Sequence, residues 1–522
     1  MILTSNKTYH KSTRDLYLNN EIETQRLAKC LAPFLTLSDL VALCGELGAG
    51  KTTFARSLIR FLANQPELTI TSPTYLLLQE YEGKSCLLVH ADLYRLISQD
   101  ELTEIGFSEI IENAITIVEW PERCQGLIEN ATVVIKFNME NTNHDLSRVA
   151  SLTAETILLS NIFTQYHILK LLEDSTWRNA SRELIAGDAS GRRYERITNE
   201  LNSAVLMIVP LTKPNQNIRA NKTYREIAKL SDSLDTFVAI SNGLLTYGFS
   251  APKILKHDLQ NGLILTEDLG SEPIFNSDGP IIERYKEAVR FLGKLHKLNP
   301  PQEIQNYDGT NYQIPKYDTE ALLIEAELFI DWYIPNLTDY QISIEQRANF
   351  LDIWKGLLEP LQSEPHGWTL RDFHSPNILW LQERLGVKRI GLIDIQDTVW
   401  GHPAYDLASL LQDARIPISN EIELDLYELY IKLKFKNDAN FDAKIFSKAY
   451  ATYALQRITK ILGIFVRLKL RDNKPEYLKF IPQLIFYLNR NISHPDLFEY
   501  RKWLNMNCPS LLNENIGERT LS

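Results

Sequence analysis

Gly45, Gly50, Lys51 and Thr52 stand at the spacing G-x-x-x-x-G-K-T, inside the run G-E-L-G-A-G-K-T. Glycines there let the main chain turn so that its N–H groups face phosphate oxygens. The Lys51 ammonium neutralises the outer phosphates and the Thr52 hydroxyl is a ligand for Mg²⁺. The backbone of Gly45, Glu46, Leu47, Gly48, Ala49 and Gly50, with Thr53 on the first helical turn, is therefore expected to wrap the phosphates of ATP. Phosphate hydrolysis also needs an acid near the metal or the attacking water. Asp92 follows the apolar run C-L-L-V-H-A and Glu119 follows A-I-T-I-V. Both fall at strand C-termini, the edge on which open α/β sheets bind ligands.

A second, unrelated constellation lies much further along. Leu370 to Asn377 reads L-R-D-F-H-S-P-N, and Asp394 closes the apolar strand Ile390 to Ile393. This is the logic of phosphoryl transfer to a hydroxyl. Asp372 orients the acceptor and takes its proton, while Asn377 and Asp394 hold Mg²⁺. Upstream, Gly187 to Tyr194 reads G-D-A-S-G-R-R-Y between two strands, so Arg192 and Arg193 are candidates for the nucleotide phosphates. Leu263 to Gly270 (L-I-L-T-E-D-L-G) fits a hinge whose backbone from Glu267 to Leu269 meets adenine. Asp331, Trp332 and Tyr333 combine a carboxylate with aromatic faces, a set that suits a pyranose ring. Asp406 is expected to brace the catalytic loop or cap its helix, and His374 and His402 to be structural.

The elements that must carry these residues can be read from apolar periodicity. A helix is expected over 20–37, then a strand Leu40 to Cys44, the glycine loop, and a helix Thr52 to Leu62. Further strands are expected at 75–81, 86–91, 115–119 and 131–137. Short apolar strands alternating with helices make a compact α/β layer. The polar stretch 138–150 is the expected join. Beyond 156 the order changes to strands at 183–186, 194–197 and 203–209, then helices at 222–232, 282–299, 319–335 and 343–361. A short hairpin (Asn377 to Trp380 with Arg389 to Asp394) follows, and the chain is mostly helical from Pro403 to 506. The expected class is an α/β P-loop NTPase domain at 1–145 followed by an α+β two-lobed, protein-kinase-like phosphotransferase domain at 156–522.

Composition agrees with two folded domains. The chain has 522 residues, 44% hydrophobic and 10% aromatic, enough for sizeable cores. Net charge is −11 with no strongly basic half, so no strong direct grip on nucleic acid is expected. Five scattered cysteines without a C-x-x-C pair argue against a disulfide framework or zinc site. No apolar leader or membrane-length apolar run is seen. The expectation is a soluble, cytoplasmic protein.

Four blocks of the first half share one family's order and spacing: G-E-L-G-A-G-K-T, T-S-P-T-Y at Thr71 to Tyr75, H-A-D-L-Y-R-L at His90 to Leu96, and I-V-E-W at Ile117 to Trp120. Over about residues 20–140 the chain resembles the TsaE family. That resemblance implies an ATPase subunit of tRNA threonylcarbamoyladenosine synthesis, acting with a TsaB–TsaD transferase pair at adenosine 37. It also implies Thr52 and Glu119 as Mg²⁺ ligands and Asp92 as the assistant of hydrolysis. Thr74 would sit in a switch-like segment over the γ-phosphate, and Trp120 would stack on the nucleotide. The second half resembles the aminoglycoside phosphotransferase-like kinases through G-D-A-S-x-R-R-Y, L-T-E-D-L-G, F-I-D-W-Y, L-R-D-F-H-S-P-N and I-D-I-Q-D. The nearest branch in these blocks is the AmgK-type amino-sugar kinases, which phosphorylate the anomeric hydroxyl of N-acetylmuramate and N-acetylglucosamine in peptidoglycan recycling.

Two departures accompany that second resemblance. Leu370 replaces the histidine of H-x-D, and the strand S-A-V-L-M-I-V at Ser203 to Val209 lacks the lysine that usually meets the α- and β-phosphates. Two alternatives therefore stand beside the amino-sugar kinase. One is an aminoglycoside or choline-like substrate. The other is a non-catalytic, nucleotide-binding docking module.

Overall fold

The structure is a computed structural model. It describes residues 10–73, 76–98, 100–139, 147–173, 175–187, 191–210, 217–231, 233–306 and 309–512. Thr74, Asp188 to Ser190 and Lys213 lie outside these residues.

The chain forms two compact units, residues 1–179 and 180–522. In the first, β1 (Lys11–Leu18), α1 (Glu21–Leu31), β2 (Leu40–Gly45), α2 (Lys51–Ala63), β3 (Leu78–Glu82), β4 (Leu87–Asp92), β5 (Ala114–Glu119), β6 (Val133–Met139), β7 (Arg148–Glu155) and α3 (Thr156–Glu173) build a seven-stranded sheet. Its order is β1-β7-β6-β2-β5-β4-β3. The central strands β6, β2, β5 and β4 run parallel. β2 and β5 are nearly continuous apolar runs because both of their faces are covered. One face carries Leu27, Phe54, Leu58, Ile117, Ile162 and Tyr166; the other carries Ala42, Leu93, Phe107, Val118 and Leu127.

The expected join at 138–150 moves C-terminally. β7 pairs antiparallel with both β6 and β1, so residues 148–173 belong to the first unit. In β7 the alternation R-V-A-S-L-T-A-E buries Ala150, Leu152 and Ala154. β1 buries only Leu16 and Leu18 and exposes most of K-S-T-R-D, the polar dress of an edge strand.

The second unit opens with a five-stranded antiparallel sheet. β8 (Ser181–Gly187), β9 (Arg193–Thr198), β10 (Ser203–Ile208), β11 (Ile254–Asp258) and β12 (Leu263–Glu267) lie in the order β11-β12-β10-β9-β8. Helix α4 (Leu234–Thr246) packs on it and was not expected; the predicted helix at 222–232 shrinks to Tyr224–Ile227. The helical part holds α5 (Ile282–Leu298), α6 (Thr319–Leu328), α7 (Ile344–Leu358), α8 (Ala404–Leu411), α9 (Asn420–Asn437) and α10 (Ala443–Asp472). Between α6 and the short helix Ile334–Leu337 lies one π-helical turn, Phe329–Tyr333. Inserted among the helices is the hairpin β13 (Ile378–Trp380) with β14 (Ile390–Leu392). Among the described residues no helix is long and apolar enough to cross a membrane, and the five cysteines are free thiols.

Candidate active sites

The first site sits where β2, β4 and β5 end. Gly45, Gly48 and Gly50 have φ of +133°, +81° and +109°, backbone that L side chains rarely adopt. A Cβ on Gly48 would meet nothing within 4 Å, so the loop faces open space there. Lys51 closes the loop on itself, donating to Gly45 O (2.7 Å) and Glu46 O (2.9 Å). Burial pulls its pKa down, partly opposed by Glu119, Glu122 and Asp92.

Parallel register sets Asp92 beside Glu119, as strand-end positions should be. Thr52 Oγ1 donates to Glu119 Oε2 at 2.8 Å. The other oxygen, Oε1, lies 2.9 Å from Nε2 of the fully buried His90. His90 Nδ1 is buried without a partner, so Nε2 is the nitrogen that carries the proton donated to Glu119. His90 is thus a positioning residue. Its signal was in the sequence: it lies two residues before Asp92 on β4, hence on the same face. Ser72 donates to Asp92 (3.2 Å) and the Tyr94 amide donates to it at 3.1 Å. This ties T-S-P-T-Y to Asp92, although Thr74 itself falls outside the described residues. Trp120 sits at the edge of the same loop. Held at φ +59°, its ring lies 3.8 Å from the Lys51 ammonium and packs on Tyr94 at 5.0 Å. Its ring therefore flanks the lysine expected to meet the phosphates. A hydroxyl and a carboxylate 2.8 Å apart at an open glycine loop are hard oxygen donors of the kind Mg²⁺ takes while keeping several waters.

In the second unit Asp372, Asn377 and Asp394 line one small pocket with Leu370, Phe373, Leu392, Ile393 and Ile395. The loop is a tight turn. The Asp372 amide donates to Leu370 O (2.7 Å) across Arg371, whose φ is +68°. Two devices hold that costly conformation. The Asp406 carboxylate on α8 accepts the amides of Leu370 (2.7 Å) and Arg371 (2.8 Å), the bracing expected of it. The buried Arg371 guanidinium pairs with Glu325 of α6, which also meets Lys460 of α10 at 3.1 Å and accepts from Tyr317. Sequence reasoning missed Glu325 and Lys460, because each is one of several charged residues on its helix and spacing does not show that the two meet.

Burial alone would raise the Asp372 pKa, but the positive charges of Lys460, His374, Arg457 and Arg371 outweigh it and hold the group below the ordinary value. Asp394 goes the other way, to about 6, through burial and the charge of Asp372, with Arg192 opposing. A divalent cation relieves that crowding, so Asp394 and Asn377 suit one. Asn377 Nδ2 donates to Asp372 O at 3.1 Å, which locks the loop. His374 is pulled down to about 4 by burial, and His402 Nδ1 accepts the Ala404 amide at 3.1 Å. His374 is nearly fully buried beside the loop and His402 caps the start of α8. No group of three or more His, Cys, Asp or Glu converges as a metal cage among the described residues.

The remaining candidates divide. Arg192 meets Asp394 at 3.1 Å, whereas Arg193 pairs with Glu195 at 3.2 Å. The Glu267 amide donates to Lys253 O (2.8 Å) and its carboxylate accepts from Arg384 (2.6 Å). Tyr333 is 2% exposed and stacked on Phe329 at 5.3 Å; the π turn rotates it into the core. Asp331 pairs with Arg347, and none of Asp331, Trp332 and Tyr333 lines the Asp372 pocket.

A glycine loop with Thr52 and Glu119 defines the first unit as a P-loop nucleotide hydrolase, and the Asp372 loop under an antiparallel sheet defines the second as a kinase-like phosphotransferase. Residues 18–149 match the family "Threonylcarbamoyl adenosine biosynthesis protein TsaE". Residues 181–436 match the "Phosphotransferase enzyme family". The chain is 38% identical over 144 residues to the tRNA threonylcarbamoyladenosine biosynthesis protein TsaE of Rickettsia felis, covering 28% of this chain and 84% of that protein. It is 33% identical over 340 residues to an N-acetylmuramate/N-acetylglucosamine kinase of Caulobacter vibrioides, covering 63% of this chain and 92% of that one. A solved choline kinase structure from Streptococcus pneumoniae aligns at TM-score 0.42 and 13% identity, over 62% of this chain and 99% of that one. The chain belongs to two families at once: its first unit to the TsaE family, its second to the phosphotransferases that include the N-acetylmuramate/N-acetylglucosamine kinases.

Proposed function

We propose that this chain is a two-enzyme cytoplasmic protein. Its first unit hydrolyses ATP in support of tRNA adenosine-37 threonylcarbamoylation, beside a TsaB–TsaD-type transferase pair. Its second unit phosphorylates the anomeric hydroxyl of N-acetylmuramate or N-acetylglucosamine. The observation that carries this reading is that Asp372, Asn377 and Asp394 converge on one pocket in a unit that holds no part of the glycine loop. The names of the relatives supply the two substrates.

When bound, Mg·ATP supplies the electrophilic phosphorus and neutralises its oxygens. Thr52 and Glu119 would hold the metal in the first unit, and Asn377 with Asp394 in the second. His90 fixes which Glu119 oxygen faces Thr52. Asp92, tethered by Ser72, is left to orient water. In the second unit Asp372 stays anionic at neutral pH, so its carboxylate can accept the proton of a sugar hydroxyl. Arg192 brings positive charge to the pocket where the strand lysine is missing.

The test uses the full chain and γ-labelled ATP. Label is expected to move to N-acetylmuramate, to fall by a factor of about 10²–10⁴ in Asp372→Asn, and to persist in Lys51→Ala. ATP hydrolysis stimulated by the transferase pair should show the opposite pattern. ATP binding without transfer to either amino sugar or to an aminoglycoside or choline would establish the docking-module alternative.

A further inference from the structure

Arg148 opens β7, outside every motif block, where it pairs in register with Met139 at the C-terminal end of β6. β6 runs parallel to β2, with Phe137 opposite Gly45. The ends of β6 and β2 therefore share one sheet edge, and Arg148 arrives beside the phosphate loop. Its guanidinium lies against Gly50: a Cβ there would be 2.4 Å from Nη1 and 3.3 Å from Cζ. Other arginines of this unit have structural work. Arg26 pairs with Glu23 and Glu173, Arg14 covers the Phe163 ring at 4.1 Å, and Arg60 donates to Leu68 O. Arg148 is half-buried beside the loop.

A guanidinium set against a glycine-rich phosphate loop adds positive charge where phosphate oxygens arrive. The planar fork of a guanidinium matches phosphate oxygens. We propose that Arg148 is a phosphate-contacting residue of the first site, gripping the polyphosphate of the bound nucleotide from the β6 side of the loop while Lys51 reaches it from α2. This rests on the ATPase reading of that site.

The experiment is calorimetric titration of the full chain with a non-hydrolysable ATP analogue and Mg²⁺. The component abolished by Lys51→Ala marks the first site. Arg148→Met should weaken that component about tenfold, the size of one charge-assisted hydrogen bond, and leave the other component unchanged. Arg148→Lys should recover part of the loss. The salt dependence of the affinity should also become shallower in Arg148→Met, because one screened contact is gone. Should Met lower the melting temperature, Arg148→Gln, polar but uncharged, replaces it. Wild-type affinity in the Met or Gln variant overturns the proposal. So does a loss with unaltered salt dependence, which would mean loop packing or stacking on the base. Absence of any Lys51-dependent component in the wild type overturns the ATPase reading itself, and the proposal with it.

Discussion

Glu119 has two oxygens and two partners, and that division decides how it can serve a metal. His90 holds Oε1, so only Oε2 faces Thr52. Removing an outer-shell partner of this kind typically costs about 10–100-fold in metal affinity. His90→Phe should therefore raise the Mg²⁺ concentration needed for half-maximal nucleotide binding at the first site by about that factor, and His90→Gln, which keeps a donor, by less. Equal Mg²⁺ dependence in all three proteins would show that His90 is only filler. Asp406 carries a different signature. Burial raises its pKa to about 7 despite two amide donors. Its folded pKa lies above the unfolded one, so its contribution to stability is fully present below pH 4 and is lost as pH rises through about 7. That loss amounts to about 4 kcal/mol at most, at 1.36 kcal/mol per unit. Melting the second unit across pH 4–8 should show the wild type losing ground relative to Asp406→Asn. A constant difference between the two would refute the assignment.

At the scale of elements, the long helix α10 is the platform under the catalytic loop. It approaches the last residue of α6 so closely that a Cβ on Gly463 would lie 2.2 Å from Leu328 O. Gly463→Ala must push backbone against backbone, and about 1–3 kcal/mol of destabilisation is expected, read as a lowered melting temperature of the second unit. Glu325→Gln should cost more, about 3–5 kcal/mol, because Arg371 and Lys460 would be left as buried cations. The parallel core strands and the hairpin at 378–392 were legible because their apolar runs are continuous and bounded by polar turns. β1 was not, since five polar or charged residues open it and only its pairing with β7 makes it a strand. α4 was missed because L-D-T-F-V-A-I-S-N-G-L-L-T is apolar on most sides, and a buried helix loses its period. Asp372, Asn377 and Asp394 could be found from spacing. Arg148 and Glu325 could not, since only tertiary pairing brings them to their sites. Tyr333 misled because the π turn shifts a side chain by part of a turn relative to an α-helix.

At the scale of the whole molecule, two nucleotide sites of unrelated design share one polypeptide. Each unit has its own core, and each site is built from residues of its own unit. Substitutions in one site should therefore leave the other's affinity unchanged, as expected for sites with no shared partners. The direct measurement is the stoichiometry of a non-hydrolysable ATP analogue with Mg²⁺ on the full chain, compared with Lys51→Ala. The account predicts two equivalents falling to one, with the surviving site still phosphorylating N-acetylmuramate when ATP is supplied. Saturation at a single equivalent that vanishes in Lys51→Ala would contradict it.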